Sequence, residues 1–362
     1  MILRDLDIAK GVIELVGFFI IKWEDSRLDW SSNPTYNSIN YTFSTGKYTW
    51  YPPLVLFNSV DEVKMLMDPD NQNPIRIDQT GTCEYSSLDL MELNCNTDAT
   101  YYPFDTQYCS FDVAAWGYAN TELEFKFTKP TVYLSFFQEN GEWEFTDHTA
   151  YKRFIQKGHR ILPMAAIELE FKRRPLYMAL HIFVPTIMLG ILIVVAFKVP
   201  PESGERLGYT LTTLLAYAVY LTMVSEHLPA VSLNIAYITT YLNITLVVGG
   251  LVVVLSTLGL ICFHKSEEEP VPQWMVRVHE GWIGKLAGVK RIHLPCCKSK
   301  DGNAVDTLDN SSNISADDHK GEVKDIKWPD ITRLMDMLFF RVLMFMTILQ
   351  QIVFFSMCLS NF

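Results

Sequence analysis

The chain has 362 residues, a formal net charge of −11 at pH 7 and a mean hydropathy of +0.11. This hydropathy, with 49% hydrophobic residues, is typical of a hybrid of membrane and soluble parts rather than of either class alone. Residues 1–175 carry 16 Lys and Arg against 25 Asp and Glu, which accounts for −9 of the net charge. An acidic first part would concentrate cations, but an acidic surface that only aids solubility is the more common case, and we expect no nucleic-acid partner.

Residues 1–175 predict an all-β domain. Short runs of aromatic and β-branched residues recur between turn signals, a pattern typical of a β-sandwich. The expected strands cover residues 12–23, 53–57, 75–77, 88–93, 108–113, 123–127, 142–145 and 166–171. Asn40 opens an Asn-Tyr-Thr sequon, which makes it a candidate glycosylation site on an outer loop.

The second half of the chain contains apolar runs long enough to cross a hydrocarbon core as helices. They cover residues 176–197, 207–225, 235–263 and 338–359. The predicted domains are therefore a β domain, three spans, a linker and a last span, at residues 1–175, 176–263, 264–330 and 331–362. Within the linker, residues 274–294 predict an amphipathic helix on the membrane surface, and residues 298–320 predict disorder.

The second span carries a stripe of unusual composition. Small, polar, aliphatic and acidic residues follow one another in steps of three or four, which places them on one helix face. These residues are Gly208, Thr212, Leu215, Val219, Met223 and Glu226, and Glu205 precedes them. Copies arranged around an axis would stack acidic, polar and apolar rings, which can select and gate cations. The alternative is an ordinary membrane helix whose threonine hydroxyls bond to its own backbone.

Cys95 and Cys109 enclose thirteen residues, including the sequence Tyr-Pro-Phe-Asp from Tyr102 to Asp105. Here the sequence resembles the Cys-loop receptors, the pentameric ligand-gated ion channels. Four further motifs carry the resemblance: Trp-Glu-Asp-Ser-Arg-Leu-Asp-Trp at 23–30, Trp-Tyr-Pro-Pro-Leu-Val-Leu-Phe-Asn at 50–58, Gly-Glu-Arg at 204–206, and Trp328 with Asp336. It covers nearly the whole chain, and the branch looks like the nicotinic acetylcholine receptors, with an invertebrate origin expected.

The resemblance implies an extracellular all-β sandwich followed by a four-helix transmembrane bundle, in a homo- or hetero-pentamer around a central pore. Both termini would be extracellular, the linker 264–330 cytoplasmic, and the location the plasma membrane, with a postsynaptic site as one option. The implied partners are four further subunits, a small cationic or aromatic ligand, membrane lipids and permeant cations, without cofactor or metal. The chain begins partway through the family's first strand, so we expect the family's N-terminal helix and signal peptide to be missing.

The resemblance also implies site residues in the first domain. The disulfide would join Cys95 to Cys109, close a loop that stabilises the fold by about 3 kcal/mol, and leave Cys83 free. An aromatic box between subunits would bind the ligand, because aromatic faces attract ammonium groups. Its principal side would use Trp116 and Phe57, with Tyr151 and Phe154 from an agonist loop at 145–161, and its opposite side would use Phe18 and Tyr85. Phe57 and Leu162 stand where tyrosines are usual and the vicinal cysteines are absent, which places acetylcholine itself in doubt.

In the membrane, the resemblance makes Glu205 and Glu226 the inner and outer acidic rings and Leu215 the girdle at the gate. Coupling between ligand and gate would pass through Phe104, Asp105 and Arg174. A cation-selective channel subunit is therefore the first hypothesis. An accessory subunit that completes heteromers without binding agonist is the second hypothesis, because the agonist loop lacks the vicinal cysteines and a usual tyrosine. A membrane enzyme is a distant third, since hydrolase, metalloprotease and P-loop motifs are missing from the sequence.

Overall fold

The computed structural model describes residues 1–67, 73–134, 137–230, 234–266, 269–280 and 327–359. Contacts between residues divide the chain into two compact units. The first comprises Met1–Pro185, Tyr220–Leu242 and Val353–Phe362, and the second comprises Thr186–Val219 and Asn243–Ile352. The first unit therefore contains the whole β domain together with one end of each long helix.

Two antiparallel five-stranded sheets form the described part of the β domain. The strands are β1 (Ile2–Asp7), β2 (Val12–Glu24), β3 (Tyr41–Ser44), β4 (Leu54–Leu56), β5 (Lys64–Met65), β6 (Ile75–Asp78), β7 (Thr82–Asn94), β8 (Thr106–Ala115), β9 (Trp143–Lys157) and β10 (Arg160–Arg173). The first sheet has the order β1-β2-β7-β6-β3, and the second has the order β5-β4-β8-β10-β9. The predicted β-sandwich is confirmed.

Alternation along the strands decides which side chains enter the core of the sandwich. Along β2, Ile13 and Leu15 are buried, whereas Phe18 and Ile20 on the other face are exposed. The same alternation buries Leu93 of β7, because successive residues of a strand point to opposite faces. Phe18 therefore lies on the outer face of the first sheet.

One predicted strand is wrong, and three strands were missed. Residues 123–127 alternate in polarity, yet they form no strand in this described part of the chain. The backbone amides of Glu122 and Leu123 both donate to the carbonyl of Ala119, so local turn bonds replace the sheet ladder where the segment begins. The missed strands are β1, β3 and β5, which are short or carry charged residues on much of their length.

The helices are α1 (Leu176–Val195), α2 (Arg206–Ser225), α3 (Tyr237–Phe263), α4 (Gln273–Glu280) and α5 (Trp328–Leu359). Within the described residues, four helices are long and apolar enough to cross a membrane, namely all of these except α4. The predicted four membrane helices are confirmed. The last one begins ten residues before the apolar run 338–359, so the helix includes the charged segment that leads into that run. Most of the predicted amphipathic helix and the whole stretch 298–320 lie outside the described residues.

Candidate functional site

Three of the predicted ligand-binding residues lie on one face of the second sheet. The strand register aligns Asp112 of β8 with Ala166 of β10 and Tyr151 of β9. Residues directly opposite one another in antiparallel strands share a face, so Asp112 and Tyr151 point the same way. Trp116 lies four residues after Asp112, and Phe57 lies two residues after the β4 residue that pairs with Ala114 of β8. Residues an even number of positions apart along a strand share a face, so both side chains continue the face of Asp112.

Backbone hydrogen bonds between the chain segments that follow β4 and β8 fix the positions of Phe57 and Trp116. The amide of Phe57 donates to the carbonyl of Asp112 at 2.8 Å, and the amide of Trp116 donates to the carbonyl of Pro53 at 2.8 Å. The side chains of Phe57 and Trp116 are 48% and 51% exposed. Both rings are therefore about half exposed on the surface of this chain.

A charged pair adjoins Tyr151 and was not predicted. Arg153 of β9 donates to the hydroxyl of Tyr151 at 2.8 Å, and another of its nitrogens lies 3.4 Å from Oδ2 of Asp112. Asp112 is buried, and its Oδ1 has no hydrogen-bond partner among the described residues. The signal for Arg153 was present in the sequence, since a residue two positions from Tyr151 on a strand shares its face.

The structure corrects three predictions about the ligand face. The agonist loop is a continuous hairpin of β9 and β10 with a turn at Gly158. Tyr151 and Phe154 are three residues apart on β9, so their side chains point to opposite faces. Tyr85 is only 4% exposed and packs in a core cluster with Cys83, so its ring is not on the surface. Phe18, by contrast, is exposed and lies opposite Leu88 in the register.

A second aromatic feature lies beside Pro53 and was not predicted as a site. It is an open depression of about 440 Å³, and half of its lining residues are aromatic. The rings of Trp50 and Tyr118 meet edge to face with their centroids 6.5 Å apart. The lining residues are Gly46, Lys47, Tyr48, Thr49, Trp50, Tyr51, Pro53 and Tyr118.

The predicted pore stripe occupies the uncovered face of α2. All seven of its residues are exposed, and Leu215 at its middle is 65% exposed. The opposite face of the same helix is buried through Arg206, Thr210, Thr213 and Tyr217. On the stripe, the hydroxyl of Thr212 donates to the carbonyl of Gly208 at 2.8 Å, the self-bonding expected of any membrane helix. The stripe is nevertheless the most exposed side of α2.

The second unit contains a buried ion pair at the start of α2. The guanidinium of Arg206 binds both oxygens of Asp336 on α5, at 2.8 and 2.6 Å, and its side chain is 0% exposed. Its Cζ atom lies 5.3 Å from the centre of the Phe197 ring. A Cβ added to Gly259 of α3 would lie 3.7–3.9 Å from both partners, in ordinary van der Waals contact, so this stretch of α3 packs against the ion pair. Sequence motifs marked Arg206 and Asp336 without predicting their contact.

The first unit contains a second buried ion pair, at the end of β10. Nε of Arg173 donates to Asp105 at 2.8 Å, and another guanidinium nitrogen binds Glu142. The guanidinium lies 4.0 Å from the centre of the Trp143 ring and 5.0 Å from that of Tyr102. Burial raises the pKa of Tyr102 to about 12.

Arg174, the predicted coupling arginine, is not part of this buried cluster. Its guanidinium pairs with Glu139 at 3.4 Å, and both side chains are exposed. Since its neighbour Arg173 faces the core, alternation along the chain sends Arg174 to the surface. The sequence predicts a coupling role for Arg174 without indicating which arginine is buried, so the coupling role of Arg174 stays a prediction.

The loop between the cysteines contacts helix ends within the same unit. The predicted disulfide between Cys95 and Cys109 is confirmed. The carbonyl of Thr100 accepts a hydrogen bond from the amide of Tyr237 at the start of α3, at 3.0 Å. The rings of Phe104 and Phe183 of α1 stack with centroids 6.3 Å apart. The disulfide loop therefore joins the β domain to two helices.

Cys83, left free as expected, is buried in the sandwich. Burial raises the pKa of its thiol, so the reactive thiolate is disfavoured there. Asn40 is exposed immediately before β3. Its location is accessible to modification, and the glycan itself stays a prediction.

Comparisons with known proteins agree with this arrangement. The family model described as the neurotransmitter-gated ion-channel ligand binding domain matches residues 1–175, and the model of the neurotransmitter-gated ion-channel transmembrane region matches residues 182–325. The chain is 26% identical over 294 residues to neuronal acetylcholine receptor subunit alpha-3 of Carassius auratus, which covers 78% of this chain and 55% of that relative. It is 27% identical over 304 residues to acetylcholine receptor subunit beta-type lev-1 of Caenorhabditis elegans, which covers 81% and 56%.

The human neuronal acetylcholine receptor subunit alpha-3 is 26% identical over 287 residues, with 78% and 55% covered. The chain thus spans just over half the length of these relatives. They come from two vertebrates and a nematode, so the expected invertebrate origin stays a prediction. The family is one of ligand-gated ion channels and not of enzymes. With both family models matched in their natural order, the chain belongs to the neurotransmitter-gated ion-channel family, as a membrane-spanning, nicotinic acetylcholine receptor-like member.

Proposed function

We propose that this chain is one subunit of a cation-selective pentameric channel in the plasma membrane, opened by a small extracellular ligand. The observation that carries the proposal is the uncovered stripe of α2, which has a carboxylate at each end and Leu215 between them. Five such stripes around an axis would give acidic rings at both mouths, which attract cations, and an apolar girdle that gates by dewetting. Permeant cations and membrane lipids are partners in this proposal, with four further subunits.

The ligand site would lie between two β domains. One subunit contributes Trp116, Phe57 and Tyr151, whose shared face supports the assignment, and a neighbouring subunit contributes Phe18 from the outer face of its first sheet. Aromatic faces bind ammonium groups by roughly 2 kcal/mol or more when water is excluded. A small cationic or aromatic ligand fits these aromatic residues.

Expression in a voltage-clamped cell tests the proposal directly. We expect a panel of amines and amino acids to contain an agonist whose currents reverse near the potential set by sodium and potassium. Replacing extracellular chloride should leave that reversal potential in place. Currents that follow the chloride potential would contradict cation selectivity.

A second candidate function is an accessory subunit that completes heteromers and binds no agonist through its own principal face. It is favoured by Phe154, which points away from Tyr151, and by the guanidinium of Arg153, which engages the hydroxyl of Tyr151 and Asp112 on the proposed ligand face. In that case the chain is silent when expressed alone and changes agonist currents only with a partner subunit. Robust agonist currents from the chain alone would exclude this function.

The proposed topology has both termini and the β domain outside and the linker 264–330 in the cytoplasm, with a postsynaptic membrane as one possible setting. Asn40 should then carry a glycan, since it is exposed within the outer domain. Glycosidase treatment should lower the apparent mass of the expressed chain, and Asn40→Gln should abolish that change. A glycosidase-insensitive wild-type chain would argue against an outer Asn40.

A further inference from the structure

Two residues of opposite charge stand side by side at the start of α2, and the fold separates them. Glu205 is exposed and begins the uncovered stripe, whereas Arg206 is completely buried on the opposite side. Without that separation, the pair would contribute almost no net charge to a mouth built from this segment. The separation therefore decides whether Glu205 acts as a full negative charge.

The buried position of Arg206 is held by one partner on another helix. Both terminal nitrogens of Arg206 bind the two oxygens of Asp336, and its Nε has no hydrogen-bond partner among the described residues. A guanidinium that is buried is stable only while it is paired, because its desolvation is otherwise uncompensated. Asp336 is thus what keeps this cation inside the second unit.

Two other cations at this end of the second unit are also occupied. Arg333 pairs with Glu202 at 3.3 Å, and the Lys198 ammonium lies 4.4 Å from the centre of the Phe340 ring. Within the described residues, no ion pair reaches Glu205. Arg206 is the sequence neighbour of Glu205. Its release from Asp336 would therefore add a positive charge beside Glu205.

We propose that Asp336 is a positioning residue for cation selectivity. By binding Arg206, it removes a positive charge from the mouth, so that each subunit contributes the charge of Glu205 alone. This inference rests on the proposed pore. When Asp336 loses its charge, the unpaired guanidinium turns toward water, where the carboxylates of Glu202 and Glu205 attract it, and the mouth loses its negative potential.

A chemical measurement tests this without an agonist. Glu205→Cys in the detergent-solubilised full chain is treated with a trimethylammonium and with a sulfonate methanethiosulfonate reagent, and mass spectrometry follows modification of the peptide that contains residue 205. The ratio of the two rates reports the local potential. Adding Asp336→Asn should shift the ratio about three- to ten-fold in favour of the anionic reagent, as expected for one charge some 6 Å away in salt solution.

Asp330→Asn is the matched control, since it makes the same change on the same helix at a carboxylate without an ion pair among the described residues. It should leave the ratio unchanged. The combination Arg206→Gln with Asp336→Asn should restore the ratio of Glu205→Cys, because the cation is gone. An unchanged ratio in the folded Asp336→Asn protein would overturn the inference.

The exchange Arg206→Asp with Asp336→Arg keeps the test decisive if Asp336→Asn does not fold. The ion pair is then retained with its charges reversed, so the inference expects the ratio of Glu205→Cys to stay the same. A ratio that shifts toward the cationic reagent would show that the charge at position 206 reaches the mouth despite its partner, and would overturn the inference.

In a conducting channel, Asp336→Asn should move the reversal potential toward that of chloride, whereas Asp330→Asn should not. A channel that remains fully cation-selective with Asp336→Asn would contradict the inference. If no variant conducts, the proposed function fails, while the thiol rates still decide whether Asp336 controls the charge beside Glu205.

Discussion

Nε of Arg173 lies 2.8 Å from an oxygen of Asp105, and both side chains are only 2% exposed. Removing one member of a buried ion pair leaves the other charge uncompensated, which typically costs about 3 to 5 kcal/mol. Arg173→Gln should therefore lower the free energy of unfolding strongly, as measured by thermal unfolding of the solubilised protein. Arg174→Gln, beside it, removes only an exposed pair and should cost about 1 kcal/mol or less. Equal losses for the two variants would mean that the Arg173 cluster is not stabilising.

The proposed ligand face leads us to expect different effects on ligand potency from substitutions of Trp116 and Phe154. Trp116→Leu should lower ligand potency at least about ten-fold, since it removes a ring that can bind an ammonium group. Phe154→Leu should change potency by less than about three-fold, because Phe154 points away from the face shared by Trp116 and Tyr151. Concentration–response curves for any agonist found compare the two variants. A larger effect of Phe154→Leu would place the ligand on the other side of the hairpin.

The girdle residue of α2 gives a gating prediction. Leu215→Thr puts a hydroxyl at the middle of the uncovered stripe and should ease opening, because a polar constriction is wetted more readily. We expect a left-shifted agonist response or a resting current in voltage-clamp recordings. Leu221→Thr, about 120° away around the helix, is the control and should not ease opening. Opening that is eased equally by both would contradict the proposed register of the stripe.

The acidic inner mouth gives a selectivity prediction. Glu205→Ala should move the reversal potential toward that of chloride, because the exposed carboxylate nearest the start of the stripe is lost. Glu202→Ala is the matched control, since Glu202 is already paired with Arg333 at 3.3 Å. We expect its reversal potential to stay close to that of the wild type. If the two variants have the same reversal potential, Glu205 does not determine the charge selectivity of the inner mouth.

Tyr102 gives a prediction about alkaline pH. Burial raises its pKa to about 12, whereas an unfolded chain should titrate near the ordinary value of about 10. Between these values the folded state binds more protons than the unfolded one, so stability contributed by neutral Tyr102 is present below pH 10 and is lost as the pH rises toward 12. Tyr102→Phe should reduce this alkaline loss by about 2 to 3 kcal/mol, measured by unfolding at pH 9 and pH 12. Equal pH dependence in both proteins would contradict the shift.

Strong alternation and long apolar runs made most of the fold predictable. The segment 12–23 is rich in β-branched and aromatic residues and forms β2, and the apolar runs of the second half form membrane-length helices. The segment 123–127 shows why alternation alone is insufficient, because turn bonds at Ala119 divert the chain from a sheet. β1 was missed because Arg4, Asp5 and Asp7 mask its apolar residues in a short strand.

The site residues were predictable where they depended on one element and less so where they depended on several. The stripe of α2 follows from helical periodicity, and its exposure agrees with that pattern. The burial of Tyr85 and the separation of Tyr151 from Phe154 depend on strand parity, which the sequence contained once the strands were placed. The contact between Arg206 and Asp336 joins residues 130 positions apart, so no local pattern could predict it.

The hydrogen-bonded pairing of the β9–β10 hairpin with β8 ends before the tip of the hairpin. Register between β10 and β8 ends at Met164 and Ala114, and beyond it the amide of Asn120 donates to the carbonyl of Ile161 at 2.9 Å. Within the described residues, the tip is thus tied to the sandwich backbone by one hydrogen bond, worth about 1 kcal/mol, while its base is held by a full ladder. The rest of the hold on the tip comes from side chains, since Ile155 and Leu162 pack against the core cluster of Val55, Ala114 and Met164, and bending the tip outward would expose this apolar surface to water.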